Sequence, residues 1–405
     1  MDFLDTIKEK ASSDGNADLN AFSQRGKKII GYFCSYFPEE IIHAAGMIPY
    51  RMRATGKSDT TKGDIFFSSL NCTFVRRCFD KALNQHFDFL DGIIFLNGCD
   101  HTRRLYDNWR HADIKPDFRY MFVAPHKIGR LAEERFSEEM VNLKTAVENA
   151  FDLVITDDAL RRSIHLYNKK RQLIAALYRE RLKESVPIKG SELLSIMLTI
   201  TMMPVEDAIS LLETVIEKID GRKTHKEGDL RVFMGGGCVE EIAHLELIES
   251  VGASIVADNL CLGYRHADML CDESMDPFLS LARRYLNHFS CPRMMNDFRR
   301  RLDFLHTVKK EAAIDAFIFE KLKFCDLWGG EMYLCRQESR KHNYPILLLE
   351  RELYGGSTGQ IRTRIQAFFE QVRNQSYTPS ELVVSAGNNY KAVMGGITRE
   401  EKDHS

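Results

Sequence analysis

The sequence predicts an α/β protein of two Rossmann- or flavodoxin-like lobes, each built on a parallel sheet, with a helical insertion. Three observations predict it. Residues 91–100, Asp-Gly-Ile-Ile-Phe-Leu-Asn-Gly-Cys-Asp, and residues 315–326, Asp-Ala-Phe-Ile-Phe-Glu-Lys-Leu-Lys-Phe-Cys-Asp, are apolar runs that each end in cysteine followed by aspartate. Each leads into helix-like sequence (102–113 and 327–342) and then another apolar run (119–123 and 345–349), a βαβ rhythm. Residues 129–226 carry long helical patterns with few strand signals. Open α/β sheets place ligands at the carboxyl ends of their strands, so two domains of similar design are each expected to bring a thiolate to one shared site.

The elements run in order along the chain. After a polar N-terminal segment (1–26), Lys28–Tyr32 reads as a strand. Phe37-Pro38-Glu39-Glu40 opens a helix through Ala45, with proline near its start and acids where they meet the positive end of the helix dipole. Gly46 stops that helix, Met47–Met52 reads as the next strand, and a helix at about 73–84 leads into the strand before Cys99. In 157–182, Asp157 and Asp158 are cap candidates, while Leu160, Ile164, Tyr167, Ile174 and Leu177 fall along one helical face. Pro187, Gly190 and Pro204 punctuate the next stretch, and Gly221–Gly228 reads as a linker. Arg231-Val-Phe-Met-Gly-Gly-Gly-Cys238 then starts a second α/β unit: strand, glycine turn, helix from about 239, strand Ser254–Ala257. It continues through Cys325 to an amphipathic helix at about 358–374. The expected domains are 1–128 (first α/β lobe), 129–228 (helical segment and linker) and 229–376 (second α/β lobe), with a tail at 377–405.

Composition bounds the function. A chain of 405 residues with 44% hydrophobic and 28% charged residues reads as a soluble globular protein of two or three domains. A net charge of −2 gives no reason to expect nucleic acid or an anionic membrane as partner. No apolar stretch approaches the length of a bilayer span, and the N-terminus lacks the basic and apolar regions of a signal peptide. The expected compartment is the cytoplasm. In that reducing setting the ten cysteines read as buried residues, metal ligands or catalysts rather than disulfides. With no Cys-x-x-Cys pair, any metal site is assembled from cysteines distant in sequence.

Gly235-Gly236-Gly237 lacks the G-x-G-x-x-G spacing and reads first as a tight βα turn, second as a phosphate cradle. Gly56-Lys57-Ser58 mimics the end of a P-loop, but Arg51 stands where the loop needs glycine, so ATP hydrolysis is assigned to another chain. Cys99 and Cys325 follow strands, and Cys72, in Ser68-Ser69-Leu70-Asn71-Cys72-Thr73, leads into a helix whose N-terminus favours a thiolate. Taken singly, each is most simply a buried structural thiol. Together, three thiolates suit an iron–sulfur cluster with one iron free of protein ligation.

Gly31-Tyr-Phe-Cys-Ser-Tyr-Phe-Pro-Glu-Glu-Ile-Ile-His-Ala-Ala-Gly-Met-Ile-Pro49 resembles the opening motif of the 2-hydroxyacyl-CoA dehydratase/benzoyl-CoA reductase (2-hydroxyglutaryl-CoA dehydratase D-component) family. Asn71-Cys72, Gly98-Cys99-Asp100, Phe324-Cys325-Asp326 and Gly359-Gln360-Ile361-Arg362-Thr363-Arg364 are similar to later family motifs, in the family's order, so the resemblance covers roughly residues 27–374. It implies a [4Fe-4S] cluster held by Cys72, Cys99 and Cys325 and an acyl-CoA substrate. It also implies a related second subunit, in a heterodimer or homodimer, and a separate ATP-dependent iron–sulfur activator. Of the motif acids, Glu39 reads as stabilising the helix start, and Glu40 as the candidate for moving a proton. His43 reads as a core or surface histidine; Arg362 and Arg364 read equally as phosphate contacts or a solvated face. The expected function is the cluster-bearing subunit of an (R)-2-hydroxyacyl-CoA dehydratase. A benzoyl-CoA reductase subunit is the close alternative. Further alternatives are a double-cubane reductase, with Cys34 or Cys238 as extra ligands, and a non-catalytic cluster carrier.

Overall fold

The computed structural model describes residues 2–13, 16–56, 59–354 and 358–377. From residue 378 on, the expected tail lies outside the described residues, as do Lys57 and Ser58 of the P-loop look-alike.

Two four-stranded, all-parallel sheets organise the chain. The first contains β1 (Ile29–Tyr32), β2 (Ile48–Arg51), β3 (Gly92–Leu96) and β4 (Phe118–Phe122) in the order β2-β1-β3-β4. The second contains β5 (Leu230–Gly236), β6 (Ala253–Asp258), β7 (Ala316–Leu322) and β8 (Ile346–Arg351) in the order β6-β5-β7-β8. The two orders are the same permutation, of flavodoxin type, with the chain reversing its direction of travel between the two inner strands. Both inner pairs are almost wholly buried, as parallel strands covered on two faces must be.

Helices cover the sheets. In the first lobe these are α3 (Glu39–Ala44), α4 (Thr73–Leu83) and α5 (Asp100–His111). The helical segment expected between the lobes then follows as four helices: α6 (Arg130–Phe151), α7 (Asp157–Leu182), α8 (Gly190–Ile200) and α9 (Val205–Ile219). The second sheet carries α10 (Ile242–Ser250), α11 (Pro277–Asn287), α12 (Phe298–Glu311), α13 (Asp326–His342) and α14 (Thr358–Arg373). The cap of α7 is Thr156, whose hydroxyl accepts from the Ala159 amide; Asp157 and Asp158 sit in the first turn instead.

Three departures from the sequence reading matter. The N-terminal segment is two helices, α1 (Phe3–Ser12) and α2 (Asn16–Gln24). Leu4 and Ile7 of α1 pack with α8 and α9, while Leu19 of α2 joins the first lobe's core. Next, α11 places Leu281, Ala282, Tyr285 and Leu286 in the core of the first lobe, so the later chain returns to complete the earlier lobe. Finally, the three glycines form no phosphate cradle. Gly235 and Gly236 lie in β5, where a Cβ on Gly235 would collide with the Phe319 ring, and a Cβ on Gly237 would press on Trp328. They are glycine because β7 and α13 pack directly over them.

Helix α7 ties both lobes together. At 26 residues it is about 39 Å long. Lys170 and Arg171 pair with Glu39 and Glu40 of α3 in the first lobe. Three turns further on, Arg181 pairs with Asp258 at the end of β6, at 3.0 Å, and Tyr178 donates to the same carboxylate at 2.8 Å. All these groups are buried. Removing one partner strands a buried charge, which costs about 3–5 kcal/mol. Asp258→Ala is therefore expected to lower unfolding free energy by about that amount in urea titration, and Asp258→Asn by less. A loss under about 1 kcal/mol for Asp258→Ala would show that α7 does not anchor the second lobe through this pair.

Candidate metal centre

Parallel sheets deliver every strand-to-helix turn to one edge, and cysteines occupy those turns. Cys34 follows β1, Cys99 follows β3, Cys238 follows β5 and Cys325 follows β7, so each inner strand of both sheets is followed within three residues by a cysteine. These are the strands that flank the two switch points, where open α/β sheets bind ligands.

Cys72, Cys99 and Cys325 share a finer property. Each is the N-cap residue of its helix, α4, α5 and α13 respectively. In each, the backbone N–H three residues on (Val75, Thr102, Trp328) favours the ionised thiol, although none closes into a full capping hydrogen bond. The Thr102 hydroxyl adds a contact of 3.3 Å to the Cys99 sulfur. Three helix N-termini, with their partial positive charge and unsatisfied amides, thus face the three sulfurs.

His101 straps the three loops together. Its Nε2 donates to the carbonyl oxygen of Phe324, at 2.8 Å, and its Nδ1 lies 3.3 Å from Oδ1 of Asn71. One imidazole, two residues beyond Cys99, therefore touches the residue before Cys72 and the residue before Cys325. Phe324 holds a left-handed conformation (φ 65°), which turns its carbonyl and presents Cys325 at the helix start. The thiols are close enough to oppose one another's ionisation: Cys72 is raised by burial, then by Cys99 and, less, by Cys325. Burial likewise pushes Cys325 up to about 12.

The donor set fits a cluster better than a single ion. Four sulfurs on one zinc at about 2.3 Å would stand about 3.8 Å apart. Among the described residues, the one group with three His, Cys, Asp or Glu ligand atoms all within 4.8 Å of each other contains no cysteine. The three thiols thus do not all stand at the spacing of ligands to one ion; ligands to different irons of a cubane would also stand wider apart. Charge points the same way. Arg265 and Arg51 are buried, and neither meets a carboxylate among the described residues. Nε and Nη2 of Arg265 and Nη1 of Arg51 have no hydrogen-bond partner, while Nη1 of Arg265 lies 3.3 Å from the Cys261 sulfur. Buried cations need a counter-charge, which ionised thiols would supply.

Cys34, Cys238, Cys261 and Cys291 stand outside the three-cysteine ligand set that the sequence implies, yet they gather around the same space. Cys34 and Cys291 act on Cys99, Cys291 and Cys261 act on Cys325, and Cys34, Cys261 and Cys238 act on Arg51. Cys78, Cys271 and Cys335 are buried in packed cores, the ordinary reading for a lone thiol.

The acids of the first motif separate. Glu40 is fully buried, bound by Arg171 and by the Tyr285 hydroxyl at 2.8 Å. Glu39 accepts from Lys170 and Tyr32; burial opposes its charge, but the Lys170 ammonium holds it down to about 2. Glu39 lines a small polar cavity with Cys34 and His266, and burial pushes that imidazole down to about 3. His43 points away, to Ser163 and Glu206. Arg362 lies on an exposed helix face, and exposed Arg364 donates to the Leu348 carbonyl at 3.0 Å.

Two α/β lobes, each built on a four-stranded parallel sheet with cysteines at its strand-to-helix turns, define the class of this protein. The comparisons agree on the family. The model of the 2-hydroxyglutaryl-CoA dehydratase D-component matches residues 34–372, and the chain belongs to that family. It is similar to the C subunit of benzoyl-CoA reductase from Thauera aromatica, with 26% identity over 86% of this chain and 91% of that one. Similarity extends to the (R)-phenyllactyl-CoA dehydratase beta subunit of Clostridium sporogenes, 22% identical over 91% and 98%. The beta subunit of (R)-2-hydroxyglutaryl-CoA dehydratase from Acidaminococcus fermentans is 23% identical over 90% and 97%.

If His101 holds the ligand loops, losing its hydrogen bond to Phe324 and its contact with Asn71 removes about 1–3 kcal/mol of local stability. In metal-free protein, His101→Ala is expected to raise alkylation rates of Cys72 and Cys325 at least about tenfold. Cys78 and Cys335 should stay unreactive. Unchanged rates at Cys72 and Cys325 would remove the strap from the account.

Proposed function

We propose that this chain is the iron–sulfur subunit of an (R)-2-hydroxyacyl-CoA dehydratase, located in the cytoplasm. The observation that supports the reading is that Cys72, Cys99 and Cys325 each stand at a helix N-cap, with His101 touching the residues before Cys72 and Cys325. Bound there, a [4Fe-4S] cluster would supply a one-electron reductant with one iron open to substrate. The three thiolates would hold it, the helix amides and the Arg51 and Arg265 guanidinium groups would balance its charge, and the closed lobes would keep water from it.

The rest of the reaction belongs to partners. The sequence has no phosphate-binding loop, so a separate ATP-dependent iron–sulfur activator delivers the electron. The relatives' designations as beta and C subunits support a related second subunit. In the proposed reaction the thioester carbonyl of a 2-hydroxyacyl-CoA takes up one electron to give a ketyl radical anion. The 2-hydroxyl group then leaves and is protonated to water; loss of a proton from C3 lets the electron return.

For that protonation we propose Glu40. Its carboxylate accepts from Arg171 and from the Tyr285 hydroxyl, the protic group in contact with it. Glu40→Gln is expected to keep its iron and lose at least about 100-fold in turnover. Normal turnover with full iron would leave Glu40 only the anchoring of α3 to α7.

A second reading is a larger, double-cubane cluster, for which Cys34, Cys238, Cys261 and Cys291, whose charges act on Cys99, Cys325 and Arg51, would supply further ligands. Iron separates the two. Anaerobically purified protein is expected to carry about four irons and four labile sulfides per chain. Replacing Cys72, Cys99 or Cys325 with Ala should abolish loading, and Cys291→Ala should leave it unchanged. About eight irons, with loss on Cys291→Ala, would replace the first reading by the second. Turnover of benzoyl-CoA in place of a 2-hydroxyacyl-CoA, with ATP and activator, would instead make the chain a ring-reductase subunit.

A further inference from the structure

A second group of ligand atoms lies on the second lobe, apart from the cysteines. His306 of α12 and Glu338 and His342 of α13 each bring one ligand atom to within 4.8 Å of the others. Glu338 and His342 stand four residues apart, one above the other on the same face of α13, and α12 presents His306 to that face. The two imidazole rings lie 4.8 Å apart between centroids, at 72°.

Two further observations show convergent lone pairs rather than an ordinary ion pair. Oε2 of Glu338 is buried and has no hydrogen-bond partner, although Nε2 of His342 is 3.2 Å away and Nζ of Lys341 is 3.8 Å away. A buried carboxylate oxygen left unsatisfied costs about 1–3 kcal/mol, which a cation in front of it would relieve. His306 is also oriented from behind: its Nδ1 is 2.8 Å from the Tyr344 hydroxyl. With Nδ1 donating to Tyr344, Nε2 presents its lone pair, the arrangement in which metal-binding histidines are held by outer partners.

We propose that His306, Glu338 and His342 form a site for one divalent ion of the zinc class. Two imidazoles and one carboxylate are a borderline-soft set, suited to Zn²⁺ and unsuited to Mg²⁺ or Ca²⁺. Three protein ligands leave a fourth position, and the partly exposed His342 places it toward solvent, where water completes the tetrahedron. The ion would clamp the last turn of α13, whose first residue follows Cys325, onto α12. It would do so without touching the cysteine site.

The test uses full-length protein prepared anaerobically with its iron content measured, dialysed against micromolar buffered Zn²⁺. Zinc is then counted by mass spectrometry, and its neighbours are identified by X-ray absorption at the zinc edge. Wild-type protein should hold one zinc more than His306→Ala or Glu338→Gln, with a nitrogen and oxygen shell. Tyr344→Phe should bind that zinc about 10–100-fold more weakly. Lys341→Ala should bind it as well as wild type. Circular dichroism checks that each variant folds; His342→Gln, at the helix end, replaces any that does not. Equal zinc in wild type and folded variants, or a sulfur shell around the extra zinc, would overturn the proposal.

Discussion

A parallel sheet sends every strand-to-helix turn to the same edge, and the rest of this structure depends on that constraint being applied twice. Each lobe repeats the same strand order, so each has one switch point flanked by two inner strands. A cysteine follows each of these four strands. Because Cys99 and Cys325 also cap α5 and α13, and Cys72 caps α4, the helix dipoles come to a focus where the sulfurs are. A metal centre placed there needs no dedicated loop. It uses amides that the fold leaves unsatisfied in any case.

Charge organises the surroundings. Glu39 with Lys170, Glu40 with Arg171 and Asp258 with Arg181 are closed pairs, and they hold α7 against both lobes. Arg301 with Glu331 does the same inside the second lobe, between α12 and α13. Such pairs contribute little net stability but are costly to break, so they fix relative position. Arg51 and Arg265 lie as deep and have no such carboxylate among the described residues; Arg53, Arg77, Arg284 and Arg293 lack one too, but they donate to backbone carbonyls. The electrostatic neighbours of Arg51 and Arg265 include Cys34 and Cys261. Negative charge on those thiols would give the two guanidinium groups the counter-charge that the backbone does not supply.

Much of this is legible in the sequence because the inner strands are short apolar runs with turn residues at both ends. β1, β3, β5 and β7 all fall where periodicity puts them, and the long helices between the lobes show their 3.6-residue pattern. The strands place Cys99 and Cys325 at one edge, and the family motif adds Cys72. Other features are hidden for physical reasons. The polar surface of α1 and α2 masks the few residues, Leu4, Ile7 and Leu19, that dock them. The return of α11 to the first lobe depends on tertiary packing that no local pattern encodes. Its start, Asp276 before Pro277, is a local signal that the βαβ rhythm alone does not bring out. His101 has no motif signal: its role comes from reaching Asn71 and Phe324, 30 and 223 residues away. The gathering of Cys34, Cys238, Cys261 and Cys291 is likewise a product of lobe closure.

The central claim is that the three N-cap cysteines share one iron–sulfur cluster. Anomalous diffraction at the iron edge, on crystals grown without oxygen, tests it most directly. The account predicts iron density in front of the α4, α5 and α13 N-termini, bonded to the sulfurs of Cys72, Cys99 and Cys325, with one iron lacking a protein sulfur. Iron bound elsewhere on the chain, or fully iron-loaded protein whose density omits any of those three sulfurs, would contradict it.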